Sequence, residues 1–259
     1  MKISGLTFAL LSCVPIALAG QDTRVHVNAH AHNDYEHTRP LFDALGNGFI
    51  SVEADVHLKQ GRLLVSHNSP GKNARTLEQL YLQPLDSILK NDGEGIYPTA
   101  TETFYLMIDC KTETKSTWQA IRASLQNFQR LKCLKDCMVK IFLSGNRPVE
   151  EIMKGEFEGI AVDGRPNDLG KGYPTERMPV ISDHYRNWLS WNGKSPPSPK
   201  DLERIEALAK RVHAEGKKLR LWAIPDNEFA WEVLIKSGVD LISTDELEKL
   251  NKWLTAKGL

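Results

Sequence analysis

The sequence predicts an α/β fold and, within that class, a (β/α)8 barrel of parallel strands. Short β-rich runs alternate with longer amphipathic runs to the end of the chain, which gives about eight strands. The chain has 259 residues, or 240 without the first nineteen, a usual length for one such barrel. The alternative, a doubly wound open sheet, normally carries a glycine-rich phosphate turn after its first strand, and this sequence has none there.

The individual elements follow from local patterns. Strands are predicted where β-branched and aromatic residues cluster, and helices where apolar residues recur at helical spacing between a cap or proline and a glycine. Strands are expected at 24–30, 49–58, 62–67, 103–110, 138–145, 159–164, 178–183, 218–224 and 239–244. Helices are expected at 39–48, 115–131, 198–216 and 226–238, between the strands at 138–145 and 159–164, and at the end of the chain. Two stretches, 68–101 and 184–199, are expected to be long loops, which in compact domains are usually functional or disordered.

The first nineteen residues have the pattern of a secretory signal peptide. Lys2 gives a positive start, an apolar stretch follows, and residues 17–19 form an A-x-A cleavage site. The apolar stretch is too short to span a membrane. A lipoprotein anchored at Cys13 is the alternative, but it would leave an unusual mature start. We therefore expect a soluble protein, secreted or periplasmic, whose residues 20–259 form one barrel domain.

The charge and cysteine counts exclude several other classes. The 33 basic residues balance the 33 acidic ones, so no nucleic-acid-binding surface is predicted. No feature of the sequence indicates an obligate protein partner. Three cysteines remain after cleavage, an odd number that excludes a scaffold built on disulfides. Cys133 and Cys137 either pair in an oxidising compartment or lie unpaired on one helix face.

Acidic residues at a predicted strand end suggest a metal site, because the reacting groups of a barrel lie at the C-terminal ends of its strands. Glu53 and Asp55 are two positions apart on one strand, so their side chains share a face. Two such carboxylates repel each other, and a divalent cation with oxygen ligands is the simplest way to hold both. The alternative is a merely polar strand edge. The apolar residues Val52, Ala54 and Val56 on the opposite face count against it.

Two histidines at strand ends are the expected acid–base pair. His32 and His67 have the side chain best suited to proton transfer near neutral pH, one to deprotonate a nucleophile and one to protonate a leaving alkoxide. Lys111, two residues after Asp109, is placed to supply positive charge to a phosphate oxygen. His30 is open between a structural and a chemical role. Structural hydrogen-bonding roles are expected for His26, His57, His184 and His213. His37 is expected to cap the loop.

Five stretches together resemble the superfamily of phosphatidylinositol phospholipases C and glycerophosphodiester phosphodiesterases. They are "HNDY" (32–35), "SVEADVHL" (51–58), "LLVSH" (63–67), "LMIDCKTE" (106–113) and the long C-terminal stretch 219–250. The resemblance covers nearly all of the chain after the signal peptide. Within the superfamily, the chain is most similar to the branch named altered inheritance of mitochondria protein 6, where the "HNDY" opening belongs.

The resemblance implies a phosphoric diester hydrolase on a PLC-like barrel, with a phosphodiester or phospholipid as its substrate. His32 and His67 match the two catalytic histidines, and Trp222 matches a tryptophan at the rim of the pocket. The residues that match metal ligands are Glu53, Asp55, Asp109 and Asn33. Four oxygen ligands favour Ca²⁺ or Mg²⁺ over zinc. The resemblance also implies a two-step route, in which a substrate hydroxyl first forms a cyclic phosphodiester and water then opens it.

The chain departs from the usual glycerophosphodiesterase pattern at two places that bear on the substrate. The family opening is H-R followed by P-E-N-T, whereas here Asn33 follows His32 and the P-E-N-T motif is absent. Asn68 follows the second histidine where an aspartate is usual. The missing arginine leaves phosphate binding to the metal, to Lys111 or to another cation.

Two tryptophans are predicted to contact the substrate. Trp188 and Trp191 lie in the proline-rich stretch 184–199 that follows a predicted strand end, which places them at the mouth of the barrel. If they are exposed, they can contact an acyl chain or the apolar part of a head group. Because the net charge is zero, contact with a membrane surface is expected to be transient, mainly apolar and insensitive to salt.

Two other functions compete with phosphodiester hydrolysis. A metal enzyme that cleaves another bond, such as an amide, usually shows an H-x-x-x-H pair on a helix, and the one pair here with that spacing, His26 and His30, lies in a predicted strand. A barrel that only binds phospholipids or sugar phosphates is the second alternative. The presence of both histidines and of all three acidic residues argues against it.

Overall fold

The computed structural model describes residues 23–259 apart from 93–94, 99 and 156–158. The predicted signal peptide, residues 1–19, lies outside the described residues, as does Cys13. The prediction that residues 20–259 form one barrel domain stays a prediction. In the described part of the chain, no helix combines the length and the apolar composition needed to cross a membrane.

Eight parallel strands form a closed barrel, as the sequence predicted. The strands have the following bounds: β1 His26–Ala31, β2 Phe49–Lys59, β4 Phe104–Cys110, β5 Val139–Gly145, β6 Ala161–Gly164, β7 Val180–His184, β8 Lys218–Trp222 and β9 Leu241–Thr244. Around the barrel the order is β1, β2, β4, β5, β6, β7, β8 and β9. The barrel is closed because β1 pairs with β2 on one side and with β9 on the other.

The remaining strand, β3 (Arg62–Val65), runs antiparallel to β2 in a hairpin that projects beyond the barrel. The pairing of β2 with β4 ends at Val56, whereas β2 continues to Lys59. Gln60 and Gly61 form a two-residue turn with φ values of 52° and 73°, the left-handed backbone that such turns require. The return strand places Val65 opposite Val56, so the next residues reach the C-terminal edge of the barrel.

Helices follow most of the strands and cover the outside of the barrel. Their bounds are α1 Phe42–Gly46, α2 Gln83–Asp92, α3 Thr114–Leu125, α4 Val149–Met153, α5 Pro199–Ala214, α6 Glu228–Lys236 and α7 Leu247–Lys257. α5 shows why the sequence signals work: the Ser198 side chain accepts a hydrogen bond from the Asp201 N–H, and Pro199 occupies the first position. Gly216, with a φ of 68°, turns the chain after the helix and toward β8.

The stretch 68–101 contains helical structure where a long loop was predicted. A π-helical turn, Glu78–Leu82, leads directly into α2. Thr76 and Gln79 cap its start reciprocally: the Gln79 side chain accepts from the Thr76 N–H, and the Thr76 hydroxyl accepts from the Gln79 N–H. Pro84 is the second residue of α2 and directly follows the π-helical turn, so the helix continues through a residue that has no N–H to donate.

The barrel interior is apolar in its N-terminal half and polar in its C-terminal half. The apolar half contains a small buried cluster that includes Met107, Phe142, Ala161 and Val180. The polar half is built from buried side chains of seven strands: His30, Ser51, Glu53, Asp55, Ser144, Asp163, Ser182, Arg220 and Ser243. The larger hydrophobic core lies between the barrel and its helices. The polar half therefore opens at the C-terminal edge, where barrels place their reacting groups.

The cysteine pair that the sequence left open forms a disulfide. Cys133 and Cys137 are bonded, with their Cα atoms 5.6 Å apart, in the segment between α3 and β5. Cys110 is free and buried at the end of β4.

Candidate functional site

Three carboxylates converge inside the C-terminal half of the barrel. Asp55 of β2 is the direct neighbour of Asp109 on β4, and Glu53 lies one layer below. Ligand atoms from all three residues lie within 4.8 Å of one another. The E-x-D spacing on one strand and the register between two parallel strands are enough to produce this cluster.

The cluster has free acceptor atoms that fit a cation. Asp55 Oδ1 and Asp109 Oδ1 are buried without a hydrogen-bond partner among the described residues, and such orphaned atoms are costly unless something binds them. Gly145, at the end of β5, leaves space beside Asp109: an added Cβ would lie 2.1 Å from Asp109 Oδ1. An all-oxygen donor set suits a hard divalent ion such as Ca²⁺ or Mg²⁺.

Glu53 is held ionised by a buried arginine. Arg220 of β8 places its Nη2 2.9 Å from Glu53 Oε2, and the two side chains are 4% and 7% exposed. Burial alone would raise the pKa of Glu53. The charge of Arg220 and the hydrogen bond from His30 lower this pKa by more than burial raises it, to about 2. Glu53 is therefore a carboxylate at every pH at which the protein is expected to work.

His30 lies within the barrel wall and not at its mouth. Its Nδ1 is 2.7 Å from Ser51 Oγ, and its Nε2 is 3.4 Å from Glu53 Oε2. Burial, followed by the charge of Arg220, lowers the pKa of His30 to about 4. A buried imidazole that stays neutral and bonds at both nitrogens is suited to positioning Glu53.

His32 has the geometry of a general base. Its Nδ1 lies 2.8 Å from Asp245 Oδ1 at the end of β9, so the carboxylate fixes the N–H on Nδ1 and leaves Nε2 as an acceptor. Burial lowers the pKa of His32, but the hydrogen bond to Asp245 and the charge of Glu53 raise it by more, so that it lies above its usual value. The histidine side chain is 35% exposed, which leaves it accessible at the mouth.

His67 reaches the cluster from the projecting hairpin. Its Nδ1 lies 3.2 Å from Asp55 Oδ2, and its side chain is 57% exposed. The main chain is anchored by the Ser66 N–H, which donates to the Asp55 carbonyl at 3.1 Å. His32 and His67 thus approach the carboxylates from different sides, one from β1 and one from beyond β2.

Tyr35 stands between Asn33 and the carboxylates. Its hydroxyl oxygen is 2.7 Å from Asn33 Oδ1 and 2.8 Å from Asp55 Oδ2. Burial and the charge of Asp55 raise the pKa of Tyr35, so the hydroxyl stays a neutral donor. The side-chain oxygen of the predicted ligand Asn33 is therefore engaged with Tyr35, which links Asn33 to Asp55.

Lys111 bridges two of the three carboxylates. Its Nζ contacts Asp109 Oδ2 and lies 3.1 Å from Asp55 Oδ2. Burial lowers the pKa of Lys111, but the hydrogen bond and the charge of Asp109 outweigh this effect and raise it. The ammonium group is thus held charged beside the cluster, where it can also meet a phosphate oxygen.

The three predicted tryptophans differ in position. Trp222, at the end of β8, is 38% exposed, and its ring meets His184 edge-on with 4.3 Å between centroids. Trp188 is half-buried and donates from Nε1 to Asp183 Oδ2 at 2.9 Å. Its position leaves only part of the ring for a substrate.

The prediction that Trp191 contacts the substrate is wrong. Its side chain is 5% exposed and belongs to the main hydrophobic core. The indole N–H donates to the carbonyl of Ser195, and Tyr185 donates to the carbonyl of Trp191 at 2.9 Å. The stretch 184–199 therefore folds back on itself, and this indole is part of its packing.

Most of the histidines expected to be structural bond to groups away from the carboxylates. His26 contacts the carbonyl of Leu259 and the side chain of Asn251, and His213 contacts Asp240. His57 reaches the carbonyl of Ser66. His184 accepts from the Arg186 N–H but also packs on Trp222 at the rim, so its position is less clearly structural.

Sequence reasoning missed the partners that hold the site together. Arg220, which neutralises Glu53, was treated as part of an ordinary strand. Asp245 received no role, although its place after the last strand predicts that it adjoins the first strand of a closed barrel. Tyr35 stood in the "HNDY" motif without an assigned role.

Comparisons with known proteins found several relatives of this chain. Residues 21–156 match the family model described as AIM6-like phosphodiesterase domain. An "Altered inheritance of mitochondria protein 6" from Saccharomyces cerevisiae (strain RM11-1a) is 33% identical, with 91% of this chain and 73% of that protein aligned. A homolog of the same name from Arthroderma benhamiae is 27% identical over 86% of this chain and 82% of its own length.

The fold also matches a solved structure. A glycerophosphodiester phosphodiesterase from Parabacteroides distasonis superposes with a TM-score of 0.60 at 19% identity, covering 91% of this chain and all of that one. At this identity the match supports the architecture alone, a (β/α)8 barrel.

Proposed function

Since this chain belongs to the AIM6-like phosphodiesterase family, we propose that it is a metal-dependent hydrolase of a glycerophosphodiester or of a phospholipid head group. The observation that carries the proposal is the pair of buried, unpartnered oxygens on Asp55 and Asp109, flanked by two histidines. A barrel that served only as a scaffold would have no reason to keep such atoms unsatisfied.

The proposal assigns the metal to Glu53, Asp55 and Asp109. When bound there, a divalent cation supplies Lewis-acid polarisation of the phosphoryl group and offsets the repulsion of the carboxylates. Ca²⁺ and Mg²⁺ both suit this oxygen-only donor set. Lys111 contributes a second positive charge toward a non-bridging phosphate oxygen.

The two histidines divide the proton transfers. His32, with its N–H fixed toward Asp245, accepts at Nε2 the proton of a substrate hydroxyl adjacent to the phosphate. That oxygen attacks phosphorus, the bond to the leaving oxygen breaks, and His67 gives a proton to the leaving alkoxide. The product is a cyclic phosphodiester. Water opens it in a second step, with the proton transfers reversed.

The experiment is an activity panel of glycerophosphodiesters, phosphatidylinositol, sphingomyelin and lysophospholipids, with and without a chelator. We expect turnover that is lost on chelation and restored by calcium or magnesium. His32→Ala and His67→Ala should each lose about 10²- to 10⁴-fold in rate. His213→Ala, a histidine paired with Asp240 outside the site, is the matched control.

Metal binding has its own readout, since calcium or magnesium should raise the melting temperature of the wild type and of His32→Ala alike. Full activity after exhaustive chelation would contradict the metal assignment. An active His32→Ala variant would contradict the acid–base assignment. A protein that binds the ion but cleaves nothing in the panel would be a binding module.

The location of the protein and its contact with membranes remain part of the proposal. Export rests on the signal-peptide pattern of residues 1–19, and the mass of the mature protein from the medium or periplasm would test cleavage after Ala19. Of the three predicted tryptophans, Trp222 has the exposure to contact an acyl chain or the apolar part of a head group. Any contact with a lipid surface is therefore narrow and transient.

A further inference from the structure

Two arginines follow neighbouring strands on the side of the mouth away from His32. Arg165 comes directly after β6, and Arg147 lies two residues after β5. In the barrel order, β6 is four strands from β1 in either direction, so the two strands face each other across the barrel. These arginines belong to neither the carboxylate cluster nor the acid–base pair.

Arg165 is fixed by a buried network. Its Nη1 lies 2.7 Å from Asp163 Oδ2 and 2.9 Å from the carbonyl of Gly164. Asp163 is fully buried, and it also accepts hydrogen bonds from Ser144 and Ser182 on the two neighbouring strands. This network holds the Arg165 guanidinium at the wall of β6. Among the described residues, its hydrogen bonds to Asp163 and Gly164 are both made by Nη1.

Arg147 lacks a carboxylate partner in the part of the chain that the structure describes. Its Nε is buried without a hydrogen bond, and its Nη1 has only a long contact of 3.4 Å with the carbonyl of Gly145. Burial lowers the pKa of Arg147, and the charge of Arg165 lowers it further. Two guanidinium groups close enough to repel each other, one of them with an orphaned buried donor, are the arrangement expected around an anion.

The carboxylates near Arg147 are each in contact with another cation. Asp163 is matched by Arg165, and Asp168 is matched by Lys171, whose Nζ lies 2.8 Å from Asp168 Oδ1. Asp109, the next carboxylate, is already in contact with Lys111. Asp163, Asp168 and Asp109 lie near enough to attract Arg147, but among the described residues none of them forms an ion pair with it.

We propose that Arg147 and Arg165 bind a second anionic group of the substrate, a phosphomonoester or carboxylate carried by the head group, separate from the phosphodiester that is cleaved. The inference rests on the proposed function. It gives that function a substrate class: diesters with an anionic head group are preferred over those whose head group is neutral or cationic. Asp163 holds the Arg165 guanidinium on the wall opposite β1, and we therefore place this anion apart from the phosphodiester beside His32.

Two matched substrate pairs test the preference. Glycerophosphoinositol 4-phosphate and glycerophosphoinositol differ by one phosphomonoester, and glycerophosphoserine and glycerophosphoethanolamine differ by one carboxylate. We expect the wild type to favour the more anionic member of at least one pair by about 10- to 100-fold in kcat/KM, the usual effect of hydrogen bonds to a charged group. The pair that responds identifies the anion as phosphate or carboxylate.

Arg147→Met is the decisive variant, because it removes the charge and the orphaned donor while leaving the ion pair of Arg165 intact. It should abolish the preference and leave the poorer substrate of each pair unaffected. Its melting temperature should be unchanged or higher, whereas loss of a structural arginine would lower it. Arg130→Met, which breaks an exposed ion pair with Asp86 on the outside of the barrel, is the matched control.

A binding measurement separates this proposal from the proposed function. Inorganic phosphate is titrated calorimetrically into the protein in the presence of a chelator, and we expect Arg147→Met to bind about 10-fold more weakly than the wild type or Arg130→Met. If no diester is turned over, the proposed function fails while this titration still decides the anion site. Equal phosphate binding by Arg147→Met, or an equal loss of activity on every substrate, would overturn the proposal.

Discussion

The buried pair of Arg220 and Glu53 allows the sharpest test of how the barrel interior is stabilised. Arg220→Met replaces the guanidinium with an apolar side chain of similar length and leaves the Glu53 carboxylate buried without its main partner. The pKa of Glu53 lies at about 2 instead of its ordinary 4.5. A difference of one in pKa corresponds to about 1.4 kcal/mol, so ionised Glu53 contributes about 3 kcal/mol to folding at neutral pH.

The direction of the pH effect fixes the conditions of the measurement. Because the pKa of Glu53 is lower in the folded protein, the contribution is complete above the unfolded value and is lost as the pH falls through about 2. Urea denaturation at pH 7 with a chelator should therefore show Arg220→Met losing about 3–5 kcal/mol, the usual cost of breaking a buried ion pair from one side. Arg39→Met, which breaks an exposed pair with Asp43, should lose less than about 1 kcal/mol.

A double-mutant cycle separates the pair from the side chains themselves. Glu53→Gln alone leaves Arg220 charged and unpaired, whereas the double variant removes both charges. We expect the double variant to be more stable than the sum of the single losses implies, by about 2–3 kcal/mol. Strict additivity, or an Arg220→Met variant within about 1 kcal/mol of the wild type, would refute the reasoning.

Three further predictions concern the pH dependence of stability, the base and the rim of the mouth. Burial raises the pKa of Asp34 to about 7, so its ionisation opposes folding as the pH rises from 4 to 8. Over that range Asp34→Asn should gain up to about 4 kcal/mol of unfolding free energy relative to the wild type, and parallel profiles would contradict this. Asp245→Asn should lower the pKa of His32, reduce kcat and move the acidic limb of the kcat/KM profile to lower pH; an unmoved limb would assign the base elsewhere. Trp191→Ala should cost about 3–5 kcal/mol in denaturation experiments, whereas Trp222→Ala should raise KM with stability within about 0.5 kcal/mol. The reverse pattern would show that the wrong indole has been assigned to the mouth.

Local patterns in the sequence were sufficient for the barrel and for the carboxylates. Each strand carries its own β-rich run, and a parallel barrel brings all C-terminal strand ends to one edge. For that reason the spacing of Glu53 and Asp55, and the position of Asp109 at another strand end, predicted a cluster without any knowledge of distant contacts. The structure adds the register that makes Asp55 and Asp109 direct neighbours.

Features that depend on distant contacts were not predictable in the same way. Arg220 and Glu53 are 167 residues apart, and no local pattern distinguishes a buried arginine from an exposed one on an alternating strand. Trp191 shows the same limit in a loop, since its burial depends on how residues 184–199 fold over α5 and α6. The helix α2 was missed because residues 68–101 were interpreted as one long loop, although the sequence contains a capping pattern, Thr76 with Gln79.

The hairpin of β2 and β3 also gives the mouth of the barrel a wall whose height can change independently of the barrel itself. An antiparallel pair keeps its register and its hydrogen-bonding pattern when two residues are added to or removed from each strand near the turn, because side chains and hydrogen-bonded pairs both alternate with a period of two and the pairing below is untouched. Matched insertions around Gln60 and Gly61 would therefore leave His67 beside Asp55 while raising or lowering the barrier to bulky ligands. Relatives with longer or shorter hairpins can thus admit substrates of different size with the same chemical groups, and this turn is the natural place to engineer access.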